Sequence, residues 1–214
     1  NPQEENPARG YIVSANFQPV PASGIEIPGY YNLADRGQQL NQQLSDKQAK
    51  WDIPTTQKLQ LGTTTAYGPR LLAPLLPVLR EVVSDPQERK WVEQLAQWPG
   101  DYPLDSISAT LFNQFLFNLA DAALHDELGD GFFETALSTR VIDAALPRLA
   151  ASGDSPWWDD RTTLGTETRA DTVKKAWDKS LTHLKVTLGD DATQWQWGKA
   201  HTLTHGHPLG LQKP

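Results

Sequence analysis

Residues 106–128, SISATLFNQFLFNLADAALHDEL, decide the fold class. Ile107, Leu111, Phe112, Phe115, Leu116, Leu119 and Ala123 recur at spacings of three and four, which places them on one face of a helix. Gly129 follows as a natural stop. The opposite face carries Gln114, Asn118, Asp121 and His125. At the same spacing these could form a polar seam, although the general amphipathic rule reads them as a solvated face.

The segments on either side repeat the helical theme. Thr168 and Asp171 form a capping-box pattern ahead of Val173, Trp177, Leu181, Leu184 and Leu188, and Gly189 closes that helix. Upstream, Asn32 is a candidate cap for a helix to about residue 46 with Leu33, Leu40 and Leu44 on one side. Residues 51–61 read as a short helix. Residues 66–83 are Leu-rich but contain Pro69, Pro74 and Pro77, which predicts two short helices or one kinked one. Pro86 opens a helix through Trp91 and Leu95 that ends at Trp98-Pro99-Gly100. Shorter helices are expected over 131–138 and 141–150. Residues 151–167 hold a loop that is a candidate internal boundary, with helix packing across it as the equal alternative. No fixed-period repeat is present, which argues against a helical solenoid.

One stretch differs. RGYIVSANF, residues 9–17, is rich in β-formers and runs into a loop with Pro19, Pro21 and Pro28, so it is predicted to be a strand. The fold class expected is therefore mainly α with one or few strands.

Composition narrows the function. With 19 basic and 26 acidic residues the net charge is −7, and no basic cluster offers itself to a phosphate backbone. Nucleic acid is not an expected partner. The aromatic content, eight Trp, six Phe and five Tyr, argues against disorder despite 16 Pro. No stretch approaches the roughly 20 apolar residues of a membrane span. The chain has no Cys and therefore no disulfide framework. A P-loop, a GxGxxG after a strand and a GxSxG elbow are all lacking.

Other clusters invite chemistry only weakly. His201, His205 and His207 bring three imidazoles within seven residues, but no nearby acid or Cys completes a metal set, and Gly206 and Pro208 favour a loop. Asp159, Asp160 and Glu167 resemble paired glycosidase carboxylates, yet adjacent acids in a loop beside Trp157 and Trp158 read more simply as a turn and a surface. Asn16 stands at the end of the predicted strand, where an amide NH2 suits the oxyanion of acyl transfer. Taken alone it is also an ordinary turn residue.

RGYIVSAN over residues 9–16, Pro19, and Asp35-Arg36 further on together resemble the β-subunit of penicillin acylases. That family of N-terminal-nucleophile hydrolases includes the acyl-homoserine-lactone acylases. SPWWDD over 155–160 and WQWGKAH over 195–201, running into HPLG at 207–210, agree in order and spacing over nearly the whole chain. The resemblance implies that residues 1–214 form a single helical region of such a β-subunit, part of an αββα fold, made as an exported precursor that works in the periplasm or outside the cell. It implies an N-terminal Ser, revealed by self-cleavage, whose own α-amine activates its hydroxyl toward an amide carbonyl. This chain begins at Asn1, which has no hydroxyl, so the nucleophile is not among its residues. The position matching Asn16 would donate to the oxyanion, and the one matching Arg36 would help hold that donor and the substrate. The expected partners are a small acyl amide and the remaining α- and β-subunit segments. Catalysis needs no cofactor. A structural calcium is expected in the full-length enzyme, with no ligand assigned here, and His201 becomes a residue packed beside Trp197. The alternative is a non-catalytic helical module with an aromatic cleft of Trp157, Trp158, Trp195 and Trp197.

Overall fold

The computed structural model describes residues 4–19, 24–204 and 206. Capping chemistry starts the helices that the sequence makes plainest. Ser106 Oγ accepts from the Ala109 N–H and opens α5, Ile107–Leu137. Gly129 breaks that element with φ 66 and ψ 168, a left-handed backbone that glycine takes without Cβ strain. Residues 130–137 then resume the helix, as expected around 131–138. Thr168 and Asp171 close a reciprocal capping box at the head of α7, Arg169–Leu188, and Gly189 caps its end. Asp85 caps α4, Pro86–Gln97, through the N–H groups of Gln87 and Glu88.

The other helices are α1, Asp35–Leu44; α2, Ile53–Gln60; α3, Tyr67–Val82; α6, Val141–Ala151; and the short α8, Trp197–Ala200. Of the two readings of residues 66–83 the single helix holds: α3 runs through Pro74 and Pro77. Each interior Pro costs about 3 kcal/mol. Leu71, Leu72, Leu75 and Leu79 of the same helix are no more than 1% exposed, and four such side chains contribute roughly 6–12 kcal/mol. Burial therefore outweighs the local penalty. Asn32 does not cap α1. Ala34 holds the cap position without a side-chain bond, and the Asn32 N–H donates instead to the Asn16 carbonyl.

The strand expected over residues 9–17 is also corrected. Among the described residues the only bridge this stretch makes is an isolated parallel one, Phe17 to Asn32. Residues 11–15 are non-helical and carry no ladder. A strand exists only by pairing, so β-propensity without a neighbouring strand yields an unpaired segment.

The core forms around α5 and α7. Phe115 meets Trp177 edge-on with ring centroids 6.0 Å apart, an orientation that aromatic quadrupoles favour. α3 packs against α4, α6 and α7 and extends the same apolar cluster, which takes in side chains from both sides of the 151–167 loop. The polar residues of α5 are not simply solvated. Asn118 is buried and donates to Ser180 Oγ at 3.0 Å, and Lys179 donates to Asp121. They line the contact with α7. Among the described residues no helix is long and apolar enough to cross a membrane.

Candidate active site

Asn16 has a φ of 59°, a left-handed conformation that asparagine tolerates better than most residues. Its backbone carbonyl accepts from Asn32, and the preceding Ala15 is buried, so the exposed Asn16 side chain stands on an anchored turn. Arg36 Nη2, on the first turn of α1, donates to Asn16 Oδ1 at 2.5 Å across twenty residues of chain. A guanidinium carries donors only, so the atom it meets must be the amide oxygen. The Nδ2 group is thereby turned away from Arg36. Asn16 also lines a cavity of about 970 Å³ with Ile12, Ser14, Tyr30, Asn32 and Asn41. A rigid donor at the edge of a cavity large enough for a small molecule can bind a carbonyl oxygen.

Behind this pair lies a second charge contact. Asp35 is 7% exposed, and Arg70 of α3 forks onto it: Nη2 is 2.9 Å from both carboxylate oxygens and Nε is 3.2 Å from Oδ1. The Arg70 guanidinium also lies 5.6 Å from the ring centre of Tyr67. The Tyr67 hydroxyl is buried without a partner among the described residues, and burial, followed by the charge of Asp143, pushes its phenol well above the ordinary tyrosine range. Burial likewise raises the Asp143 carboxyl, opposed by Arg140 and aided by Asp35. Tyr30 accepts from the Arg140 N–H at 2.8 Å and ties the cavity wall to α6. Arg70 carried no signal in the sequence, because only folding brings it to a residue thirty-five positions away.

The other candidates resolve as structure. Asp159 accepts from the Glu167 N–H and Glu167 from the Asp160 N–H, closing the loop between them. Lys175 and Thr162 hold the Asp160 carboxyl down at about 2. These acids serve as acceptors in a turn. His201 stacks on Trp197 with centroids 4.5 Å apart and planes 12° off parallel, while His205 and His207, with Pro208–Gly210, lie outside the described residues, as do Asn1 and Pro21. Among the described residues no three or more His, Cys, Asp or Glu gather as they would around a metal ion, so no calcium ligand set is assigned. The expected aromatic cleft is corrected for two of its four tryptophans. Trp158 and Trp195 are 2% and 0% exposed, with their indole N–H groups donating to the carbonyls of Ser152 and Gly189. An indole whose face is buried and whose N–H is paired internally is core, not a cleft wall.

Comparison with known proteins identifies the family. A family model described as penicillin amidase matches residues 1–214. The acyl-homoserine lactone acylase QuiP of Pseudomonas aeruginosa is 26% identical over 221 residues, covering 94% of this chain and 26% of that protein. The protein of the same name from Pseudomonas syringae pv. tomato is 25% identical over 231 residues, covering 99% of this chain and 28% of its own length. The chain thus spans about a quarter of the length of these curated relatives. No solved structure gives a significant match.

Proposed function

The chain belongs to the penicillin amidase family, and from that premise we propose that it is part of an acylase that hydrolyses the C–N bond of a linear acyl amide, with Asn16 as a donor to the oxyanion. The observation that carries the reading is the Arg36–Asn16 hydrogen bond, which turns the amide NH2 away from Arg36 on a turn that lines the cavity. As the carbonyl carbon becomes tetrahedral, its oxygen gains charge. A donor already aligned needs no reorganisation at that moment, which is why such contacts are effective. Arg36 adds to this by polarising the amide it holds, which makes the Nδ2 protons stronger donors.

The nucleophile in this reading is a Ser at the start of the mature β-subunit. Its α-amine takes the hydroxyl proton, the oxygen attacks the amide carbonyl, the amine departs, and water releases the acid. The names of the relatives favour an N-acyl homoserine lactone over a phenylacetyl amide as the substrate. The enzyme is an exported precursor that acts in the periplasm or beyond it, with the remaining α- and β-subunit segments as its partners. The test uses the intact precursor, wild type against Asn16→Ala, on a panel of both amide classes. Both proteins self-cleave, and turnover in the variant falls about 100- to 1000-fold. Unchanged turnover would return Asn16 to the role of a loop residue.

A further inference from the structure

We infer that Arg70 is a positioning residue of this site: its fork onto Asp35 sets where Arg36, and through it Asn16, stands. The inference rests on the oxyanion reading of Asn16. Its physical basis is what α1 lacks. The residues α1 buries are Asp35 and Gly37, while its leucines, Leu40 and Leu44, are only partly covered. Apolar packing, which normally fixes a helix on its domain, contributes little to placing this one.

The fork supplies the placement that packing does not. Arg70 is followed directly by Leu71 and Leu72, which are 0% and 1% exposed, so its backbone is held by the core. Its side chain reaches Asp35 through two nitrogens, with Nη2 touching both carboxylate oxygens. Contact through both nitrogens fixes the relative plane of the two groups as well as their distance, which a single ammonium cannot do. The ring of Tyr67 beside the guanidinium limits where it can swing. Asp35 is the first residue of α1 and Arg36 the second, so the fork and the Arg36–Asn16 bond are joined by one peptide unit of regular helix. Core, Arg70, Asp35, Arg36 and Asn16 therefore form one mechanical series.

The experiment measures kcat and KM of the intact, self-cleaved enzyme for Arg70→Met, Arg70→Lys, Asn16→Ala and the Asn16→Ala/Arg70→Met pair, on the acyl amide the wild type turns over fastest. Arg80→Met is the control, since Arg80 makes an exposed fork with Glu93 from the same helix. Arg70→Met lowers kcat about 100-fold, the loss typical of a displaced catalytic contact, with KM little changed, and Arg80→Met matches wild type. Arg70→Lys keeps the charge, loses the fork and still slows kcat about tenfold. It carries the test if Arg70→Met does not mature. Added to Asn16→Ala, Arg70→Met slows the enzyme no further, because a donor that is gone cannot be misplaced. Three results overturn the inference while leaving Asn16 in its role: a slow Asn16→Ala beside a wild-type kcat for both Arg70 variants, losses that multiply in the pair, or an Arg70 effect confined to KM. A wild-type rate for Asn16→Ala instead removes the oxyanion reading, and this inference with it.

Discussion

The ring of Phe17 occupies the space where Gly37 would carry a side chain: a Cβ built there stands 2.6 Å from Phe17 Cε1 and 2.7 Å from Cδ1. Phe17 adjoins Asn16 and is bridged to Asn32, so a ring pushed off α1 carries the Asn16 turn with it. Gly37→Ala sets two effects on stability against each other. Helix propensity gains up to about 1 kcal/mol, while overpacking a half-buried ring costs about 1–3 kcal/mol. The expected outcome is a small change in Tm and a kcat reduced about tenfold or more, since misplacement of about 1 Å can cost 100-fold. Phe17→Leu in the same chain makes room and restores part of the rate. Steady-state kinetics on the three proteins check this.

Replacing Arg36 separates orientation from donation. In Arg36→Met the Asn16 amide loses the partner that holds its Oδ1, while the NH2 group itself remains. The expected fall in kcat is smaller than for Asn16→Ala, about tenfold against about 100- to 1000-fold. Arg36→Lys can still donate to Oδ1 but lacks the planar fork, and should lie between Arg36→Met and wild type. Equal losses in Arg36→Met and Asn16→Ala would mean that a free amide donates nothing.

How much of this was legible in advance depends on the range of the forces involved. Ser106, Asp85 and the Thr168–Asp171 box act within one turn, so the helices they open could be read directly. The choice between one helix and two over residues 66–83 could not, because the Pro penalty is local while the burial of Leu71 to Leu79 depends on helices far along the chain. The stretch over 9–17 failed for the same reason: its β-formers are evident, but a ladder needs a neighbour, and among the described residues only Asn32 meets it. The place of Asn16 after an apolar stretch suits a donor and a turn residue equally, and only the family resemblance points to Asn16 and Arg36 together. The fork of Arg70 onto Asp35 spans thirty-five residues, and no periodicity or motif marks it.

The polar contact between α5 and α7 yields a stability prediction. Asn118 Nδ2 bonds both the Gln114 carbonyl and Ser180 Oγ, and Ser180 donates in turn to the Ala176 carbonyl at 2.6 Å. Ser180→Ala leaves Asn118 one acceptor and should cost about 1 kcal/mol. Asn118→Ala removes the buried amide with its bonds and should cost about 1–3 kcal/mol. Asn118→Asp places a carboxylate against Ser180 and the Gln114 carbonyl and should be worse than either. Urea denaturation of the four proteins ranks them. A fully tolerated Asn118→Asp would mean that water reaches this contact.

Glu127 gives the clearest pH signature. Its Oε2 is buried without a hydrogen-bond partner among the described residues, and burial, reinforced by the neighbouring Asp126 carboxyl, raises its pKa from 4.5 to about 7. The sign follows from proton counts. Below 4.5 the folded and unfolded chains both hold this proton, and the group contributes nothing. Between 4.5 and 7 the unfolded chain has released it while the folded chain keeps it, so stability falls as pH rises through that window, and the loss is complete above it. His125 slopes the same way nearby, because its bonds to Asp121 and Asp130 raise its pKa, and that stability is lost as pH climbs past the raised value. Glu127→Gln isolates the carboxyl, since an amide is neutral in both states and His125 is common to the two proteins. Urea midpoints measured from pH 4 to pH 8 should coincide at the acid end and then separate, with Glu127→Gln increasingly the more stable until the curves run parallel above about pH 7. Parallel curves throughout would show that the Glu127 carboxyl titrates alike in the folded and unfolded chain and that solvent reaches Oε2.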